Sequence, residues 1–287
     1  MKRDEVKRVV DKIVGLPTFP VILNKCSELL QDPFVSTSKM AKVISKDQSI
    51  TSKLLRLVNS ALYGFPHRIS SVNQAILILG FNNIRTLILS FSVFDTLLKD
   101  NKSLGFDMGE FWKHSIGCGA AAKVIGSRMG IRQPEESFVA GLLHDIGKVV
   151  LSQFFLDDFI SVLKIAQEKN ILFIEAEEQV LGITHAEIGG YLANRWNLPD
   201  SLTKVIIFHH TPSLIKDNTN LVFTVHLADI ICRGLGVGSP GDDLVPQIDV
   251  SIWDDSGLTM RMLEKLLPEV DEEIEKANSF LSILFEK

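Results

Sequence analysis

The stretch Gly141-Leu142-Leu143-His144-Asp145-Ile146-Gly147-Lys148 places a histidine beside an aspartate directly after an apolar run. Imidazole and carboxylate together suit manganese, iron, nickel or zinc rather than thiophilic metals. Helical neighbours point roughly 100° apart and share no face, so one ion serves both only if it lies between their two directions. A single His-Asp pair arises often by chance, and the other histidines carry the case. Of the seven, His67, His114, His144, His185, His209, His210 and His226, six lie between residues 114 and 226. Each of these six falls on or at the end of a predicted helix, a concentration that scattered solvated histidines would not show.

Further candidate ligands surround the pair. Glu110 and His114 are four apart, which puts them on one helix face. His185 follows Thr184, a natural N-cap, and so enters the first turn of its helix. His209 and His210 close a helix whose apolar side includes Leu202, Val205 and Ile206. Asp229 sits in an otherwise apolar helix, where an unpaired carboxylate would cost several kcal/mol or shift its pKa. His226, one turn before Asp229, reads as a hydrogen-bonded core residue, and His67 as a surface residue. The carboxylates of Glu110, Asp145 and Asp229 bring three negative charges, and five neutral imidazoles bring none. Two divalent cations would leave the centre at about +1, favourable for a phosphate oxyanion and for lowering the pKa of a water between them. Lys148, one turn after His144, can aim its ammonium at the same anion.

The elements that must position these groups are helices. Apolar residues recur at a period near 3.6 throughout, and no stretch alternates at period two. Helices are expected over Val6–Val14, from Pro20 to about Asp32, from Thr37 or Ser38 to Ser45, and from Ser49 or Thr51 to about Tyr63. Others follow from Ser71 to Leu79, broken at Gly80, and from the Asn82-Asn83 cap to about Leu98. Lys99–Gly109 is polar and holds two glycines, which divides an N-terminal helical lobe, 1–100, from a metal-binding lobe, 107–287. In the second lobe helices are expected from Glu110 to Met129 and from after Pro134 through the His144-Asp145 pair. More are expected near 155–169, 173–180, 184–195, 200–210 and 219–234. Gly236–Gly257 reads as a long surface excursion, and Met260–Leu284 as one or two amphipathic helices. The fold class is therefore all-α.

Composition sets limits on function. Hydrophobic residues make up 46% of 287 and charged residues 23%, which describes a well-packed globular chain. The net charge is −5 with no dense Lys/Arg stripe, so nucleic acid is not an expected partner. Cys26, Cys118 and Cys232 are widely spaced, without a CxxC, and read as small buried residues in a reducing compartment. The N-terminus is charged from Lys2, and the most apolar stretch, Leu87–Leu98, is too short for a bilayer. A soluble, cytoplasmic protein without a membrane partner is the expectation.

From about Glu110 to Gly236 the chain resembles the HD superfamily of metal-dependent phosphohydrolases, and most closely the HD-GYP cyclic-dinucleotide phosphodiesterases. Their ligand order of Glu, His, His-Asp, His, His-His, Asp falls on Glu110, His114, His144, Asp145, His185, His209, His210 and Asp229. Lys148 falls on their phosphate-contacting lysine. After His209-His210, however, the chain reads Thr-Pro-Ser-Leu-Ile, without the Gly-Tyr-Pro of that family. Over roughly residues 10 to 236 the chain also resembles the HDOD domain, the HD-related output domain, and the N-terminal lobe is the more diagnostic part. The residues carrying this are Leu16-Pro17-Thr18-Phe19-Pro20, Leu54 through Ala61, Tyr63-Gly64, Ile69, Ala75 through Gly80, and Phe111 through Ser115. HDOD proteins are bacterial signalling output modules whose metal ligands are often eroded.

The resemblance thus implies a regulator, while the intact ligand set implies a working centre of two divalent transition-metal ions, iron, manganese or nickel. As a regulator, the chain would bind a signalling protein or a small phosphate-containing ligand. As a phosphohydrolase, it would use Asp145 as the residue between two ions and Lys148 against a phosphate oxygen, its two catalytic residues. A third expectation drawn from the superfamily is oxygen activation at a di-iron pair.

Overall fold

A computed structural model of the chain describes residues 25, 26, 28, 29, 32, 34–97, 106–217 and 219–285. The helices predicted over Val6–Val14 and around Pro20 lie outside these, apart from helical positions at 25, 26, 28 and 29. The protein is all-α, with no strand among the described residues. Its helices are α1 (Thr37–Ile44), α2 (Gln48–Val58), α3 (Val72–Leu79), α4 (Phe81–Leu97), α5 (Met108–Arg128), α6 (Pro134–Leu143) and α7 (Ile146–Phe154). There follow α8 (Leu156–Lys169), α9 (Phe173–Val180), α10 (His185–Arg195), α11 (Asp200–Phe208), α12 (Thr219–Gly234), α13 (Val250–Asp255) and α14 (Met260–Phe285). No single helix among the described residues is long and apolar enough to cross a membrane.

The described residues form two compact units. One falls within Asp100–Asp271, and the other within Pro17–Lys99 together with Glu272–Lys287. The last helix therefore contributes to both, whereas the sequence reading carries the second lobe through to 287. In the N-terminal unit the helix starts are set by capping side chains. Ser36 accepts from the Lys39 N–H, Asp47 from Ile50 and Ser71 from Gln74. These caps lie one or more residues before the expected Thr37/Ser38 and Ser49/Thr51, because the oxygen must precede the first free amides. Helix α2 ends at Val58, short of Tyr63. There Asn59 donates to the carbonyls of Leu55 and Ile69 and accepts from the Ile69 N–H, which ties the following loop to the helix end.

The larger unit is built around α5, which packs most extensively against α6 and α12. Its first turn is capped by Asp107, which accepts from the Gly109 and Glu110 amides. Buried residues ring the helix, from Phe111 and Trp112 to Ala120, Ala121 and Ile125, as a central helix requires. Helices α5 and α6 cross where Gly119 and Gly141 face each other. A Cβ on Gly141 would come 2.6 Å from the Cys118 carbonyl, and one on Gly119 2.7 Å from that of Phe138. A second close crossing, of α7 on α10, occurs at Gly147, whose Cβ would collide with the His185 backbone.

Two expectations differ here. The helix after Pro134 does not run through His144-Asp145 but stops at Leu143, and α7 restarts at Ile146. The 236–257 segment is not wholly irregular, since Asp249 caps α13 within it.

Candidate metal centre

The break between α6 and α7 is what makes the His144-Asp145 pair useful. On a continuous helix the two side chains would diverge. At the junction His144 Nδ1 donates to the Gly141 carbonyl at 2.6 Å, and Asp145 turns back under α7. Asp145 Oδ2 then lies 3.4 Å from His144 Nε2, while Oδ1 lies 3.0 Å from His185 Nε2 and 3.5 Å from His209 Nε2. One carboxylate thus stands between two sets of donors.

The first set is His114, Cys118, His144 and Asp229; the second is Asp145, His185, His209 and His210. Within each set the donor atoms lie within 4.8 Å of one another. In the first, His114 Nε2 is 3.1 Å from Asp229 Oδ1 and 3.4 Å from Cys118 Sγ. In the second, His185 Nε2 is 3.0 Å from His210 Nε2 and 3.4 Å from His209 Nε2. Burial is nearly complete: apart from the partly exposed His210, no donor is more than 2% exposed.

Four imidazoles are oriented from behind. Nδ1 of His114 faces the Val237 carbonyl, that of His144 the Gly141 carbonyl, and that of His209 the carbonyls of Val205 and Ile206. Nδ1 of His185 faces Glu177 Oε2 at 2.6 Å, and the same oxygen accepts from the His185 amide. A carbonyl or carboxylate can only accept, so each Nδ1 carries its proton and each Nε2 lone pair points inward, the arrangement that fixes a histidine as a metal ligand.

The residues present fit a pair of cations. Nε2 of His144 and Oδ1 of Asp145 are buried and lack a hydrogen bond of good geometry. The close Nε2–Nε2 approaches require a shared cation or proton. Around the centre, among the described residues, the carboxylates of Asp145, Glu177, Asp229 and Asp242 face the two cations Lys148 and Arg233. That leaves a formal −2 when every imidazole is neutral.

The titration of the metal-free centre follows from the same charges. Burial disfavours a charged His114, but its polar neighbours, the Asp229 carboxylate among them, prevail and raise its pKa to about 9. Burial likewise opposes charge on His185, and Glu177 then Asp145 turn the net shift upward. His209, with burial dominant, falls to about 4, and His210 falls well below its ordinary value. Asp145 stays ionised against its burial because His144 and Lys148 adjoin it; Asp229 does so because of Arg233 and His114. Protons on His114 and His185 thus stand where cations would, and burial holds the Cys118 thiol protonated.

Of the sequence-predicted residues, His114, His144, Asp145, His185, His209, His210 and Asp229 come together. Glu110 does not: its side chain is 47% exposed and lies 3.6 Å from Lys113. The helix turns it outward while presenting Cys118, one turn the other side of His114. Lys148 is fully buried, 2.6 Å from Asp145 Oδ2 and over the Phe173 ring at 5.1 Å, so it is committed to the aspartate. His226 is a structural relay, its Nδ1 donating to the His209 carbonyl and its Nε2 accepting from the Asp249 amide. His67 is exposed.

Three residues escaped the sequence reading. Cys118 and Arg233 each lie four residues after a candidate ligand, His114 and Asp229, a spacing that identifies both. Glu177, in a run of acidic residues on α9, carries no local signal.

An all-helical protein whose buried centre is assembled around a His-Asp junction is of the HD type. The model of the HDOD domain family matches residues 16–212, more than half of the chain, and the chain belongs to that family. It is 29% identical over 241 residues to an uncharacterized protein of Treponema pallidum (strain Nichols), covering 82% of this chain and 46% of that one. It therefore spans less than half the length of that relative. Among solved structures it is similar to an HDOD domain protein of unknown function from Geobacter sulfurreducens, with a TM-score of 0.81, 28% identity and 96% of each chain covered. It also shares its fold with a protein of Marinobacter aquaeolei VT8 provisionally named as a signal transduction protein. That match has a TM-score of 0.79 and 20% identity, covering 99% of this chain and 66% of that one.

Proposed function

We propose that this chain is a cytoplasmic bacterial signalling module that binds a protein partner or a small phosphate-containing ligand, with two divalent ions as its internal fastener. The carrying observation is the enclosure of the centre. Six of the seven predicted ligands that converge are at most 2% exposed, and the lysine expected to meet a phosphate is instead held by Asp145. A structural ion belongs in such a closed, fully liganded position, whereas a catalytic one keeps an open position.

His114, Cys118, His144 and Asp229 would hold one ion and Asp145, His185, His209 and His210 the other. When bound, the ions would neutralise the surplus negative charge and tie α5, the α6–α7 junction, α10, α11 and α12 together. The chain's own residues do the preparation: the four Nδ1 contacts fix the rings, and Gly147 lets α10 bring His185 up to Asp145. The name of the Marinobacter protein accords with a signalling role.

Phosphohydrolysis is the second reading, favoured by the placement of Asp145 between two adjacent donor sets, as two-metal sites require. His210, the partly exposed donor, would then mark the approach, and Lys148 would have to leave Asp145 to reach a phosphate oxygen. The test is turnover of an aryl phosphodiester and of cyclic dinucleotides by protein shown to contain both ions. Turnover no faster than a metal-matched blank supports the signalling module; turnover abolished by Asp145→Ala establishes the hydrolase instead.

A further inference from the structure

The first donor set contains a thiol where the resemblance to the HD-GYP enzymes supplies a carboxylate. Glu110 and Cys118 flank His114 by one helical turn on either side, and the helix has chosen between them. Glu110 faces solvent and Lys113, while Cys118 is 0% exposed with its Sγ turned to His114 Nε2. The cysteine does not stand alone. His144 Nε2, 1% exposed and without a hydrogen bond, is aimed into the same space.

Spacing supports coordination. In a tetrahedral site with metal–nitrogen and metal–oxygen bonds near 2.05 Å and metal–sulfur near 2.3 Å, neighbouring donors lie ~3.3–3.6 Å apart. The His114 Nε2 to Cys118 Sγ edge, 3.4 Å, falls in that range, the His114 Nε2 to Asp229 Oδ1 edge is slightly shorter at 3.1 Å, and all four donors lie within 4.8 Å of one another.

We infer that Cys118 is a thiolate ligand of one of the two ions, making the centre chemically unequal: two nitrogens, one sulfur and one oxygen on one side, three nitrogens and one oxygen on the other. This inference rests on the metal centre proposed above and deepens it. A sulfur ligand shifts the first position toward zinc or ferrous iron, whereas the second retains the preference of a nitrogen–oxygen set. Binding there transfers the thiol proton to solvent, and the sulfur donates its electron pair to the cation without any change in oxidation state. Cys232, whose side chain adjoins Cys118, belongs to neither donor set and serves as the control.

The experiment loads Co²⁺ alone into metal-free full-length protein, counts bound cobalt by elemental analysis after dialysis, and records the near-ultraviolet sulfur-to-cobalt charge-transfer band. The wild type should show the band, Cys232→Ser should keep it, and Cys118→Ser should lose it together with one ion per chain. Should Cys118→Ser fail to fold, the double variant Cys26→Ser/Cys232→Ser, which leaves Cys118 as the one cysteine, decides: the band must persist. Cobalt bound without the band, or a band lost in Cys232→Ser and kept in Cys118→Ser, overturns the thiolate and leaves the metal centre standing. No bound cobalt in the folded wild type overturns both.

Discussion

Lys148 Nζ lies 2.6 Å from Asp145 Oδ2, one helical turn along, and neither side chain is more than 1% exposed. Breaking a buried pair by removing one partner leaves the other charge uncompensated, at a cost of about 3–5 kcal/mol. Lys148→Met should therefore destabilise the metal-free protein by that order in chemical denaturation. The loss should shrink in the metal-loaded protein, where cations take over the compensation of Asp145. Equal stability of variant and wild type without metal would show that the pair is not maintained in solution.

Gly147 makes the second structural prediction. A Cβ there would meet the backbone of His185, which cannot swing aside as a side chain can. Gly147→Ala should cost about 1–3 kcal/mol as overpacking, despite the better helix propensity of alanine. It should also lower metal content, because separating α7 from α10 moves His185 away from Asp145. Thermal denaturation with elemental analysis reads both, and unchanged metal content would contradict the positioning role.

How much of this could be read from the sequence differs by residue. Among the described residues most helices are legible from the apolar period, even where, as in α5, residues are buried all round, and the clustering of His114, His144, His185, His209, His210 and Asp229 follows from their placement on or at the ends of those helices. The break at His144-Asp145 is not, since neither Pro nor Gly stands at those two positions and the His144 side chain that takes up the Gly141 carbonyl there is visible only in the structure. Both the i,i+4 spacing to His114 and the resemblance point to Glu110 as a ligand, but its side chain is 47% exposed beside Lys113. Cys118 gives no signal among the widely spaced cysteines; its signal is the i,i+4 spacing that puts it on one helix face with His114.

The metal-free protein should have a stability maximum near the ordinary histidine pKa of 6.5. His114, raised to about 9, contributes stability that is fully present below 6.5 and is lost as pH rises through 9. His209, lowered to about 4, works the other way: the unfolded chain takes up its proton first, so stability falls as pH drops from 6.5 toward 4. Melting temperatures of chelator-treated protein across acid to alkaline buffers should trace a dome. A midpoint that climbs steadily past pH 9 would contradict the protonated His114.

If the two donor sets hold ions and these ions fasten the helices, metal content and thermal stability must move together. Metal content and melting temperature, measured on the same samples of wild type and Asp145→Ala before and after chelation, test it most directly. The wild-type chain should hold about two divalent ions, its melting temperature should fall on chelation and recover on reloading, and Asp145→Ala should lose both ions. Wild-type protein from metal-supplemented preparations that holds no more metal than Asp145→Ala, and melts at the same temperature with or without chelator, would contradict it.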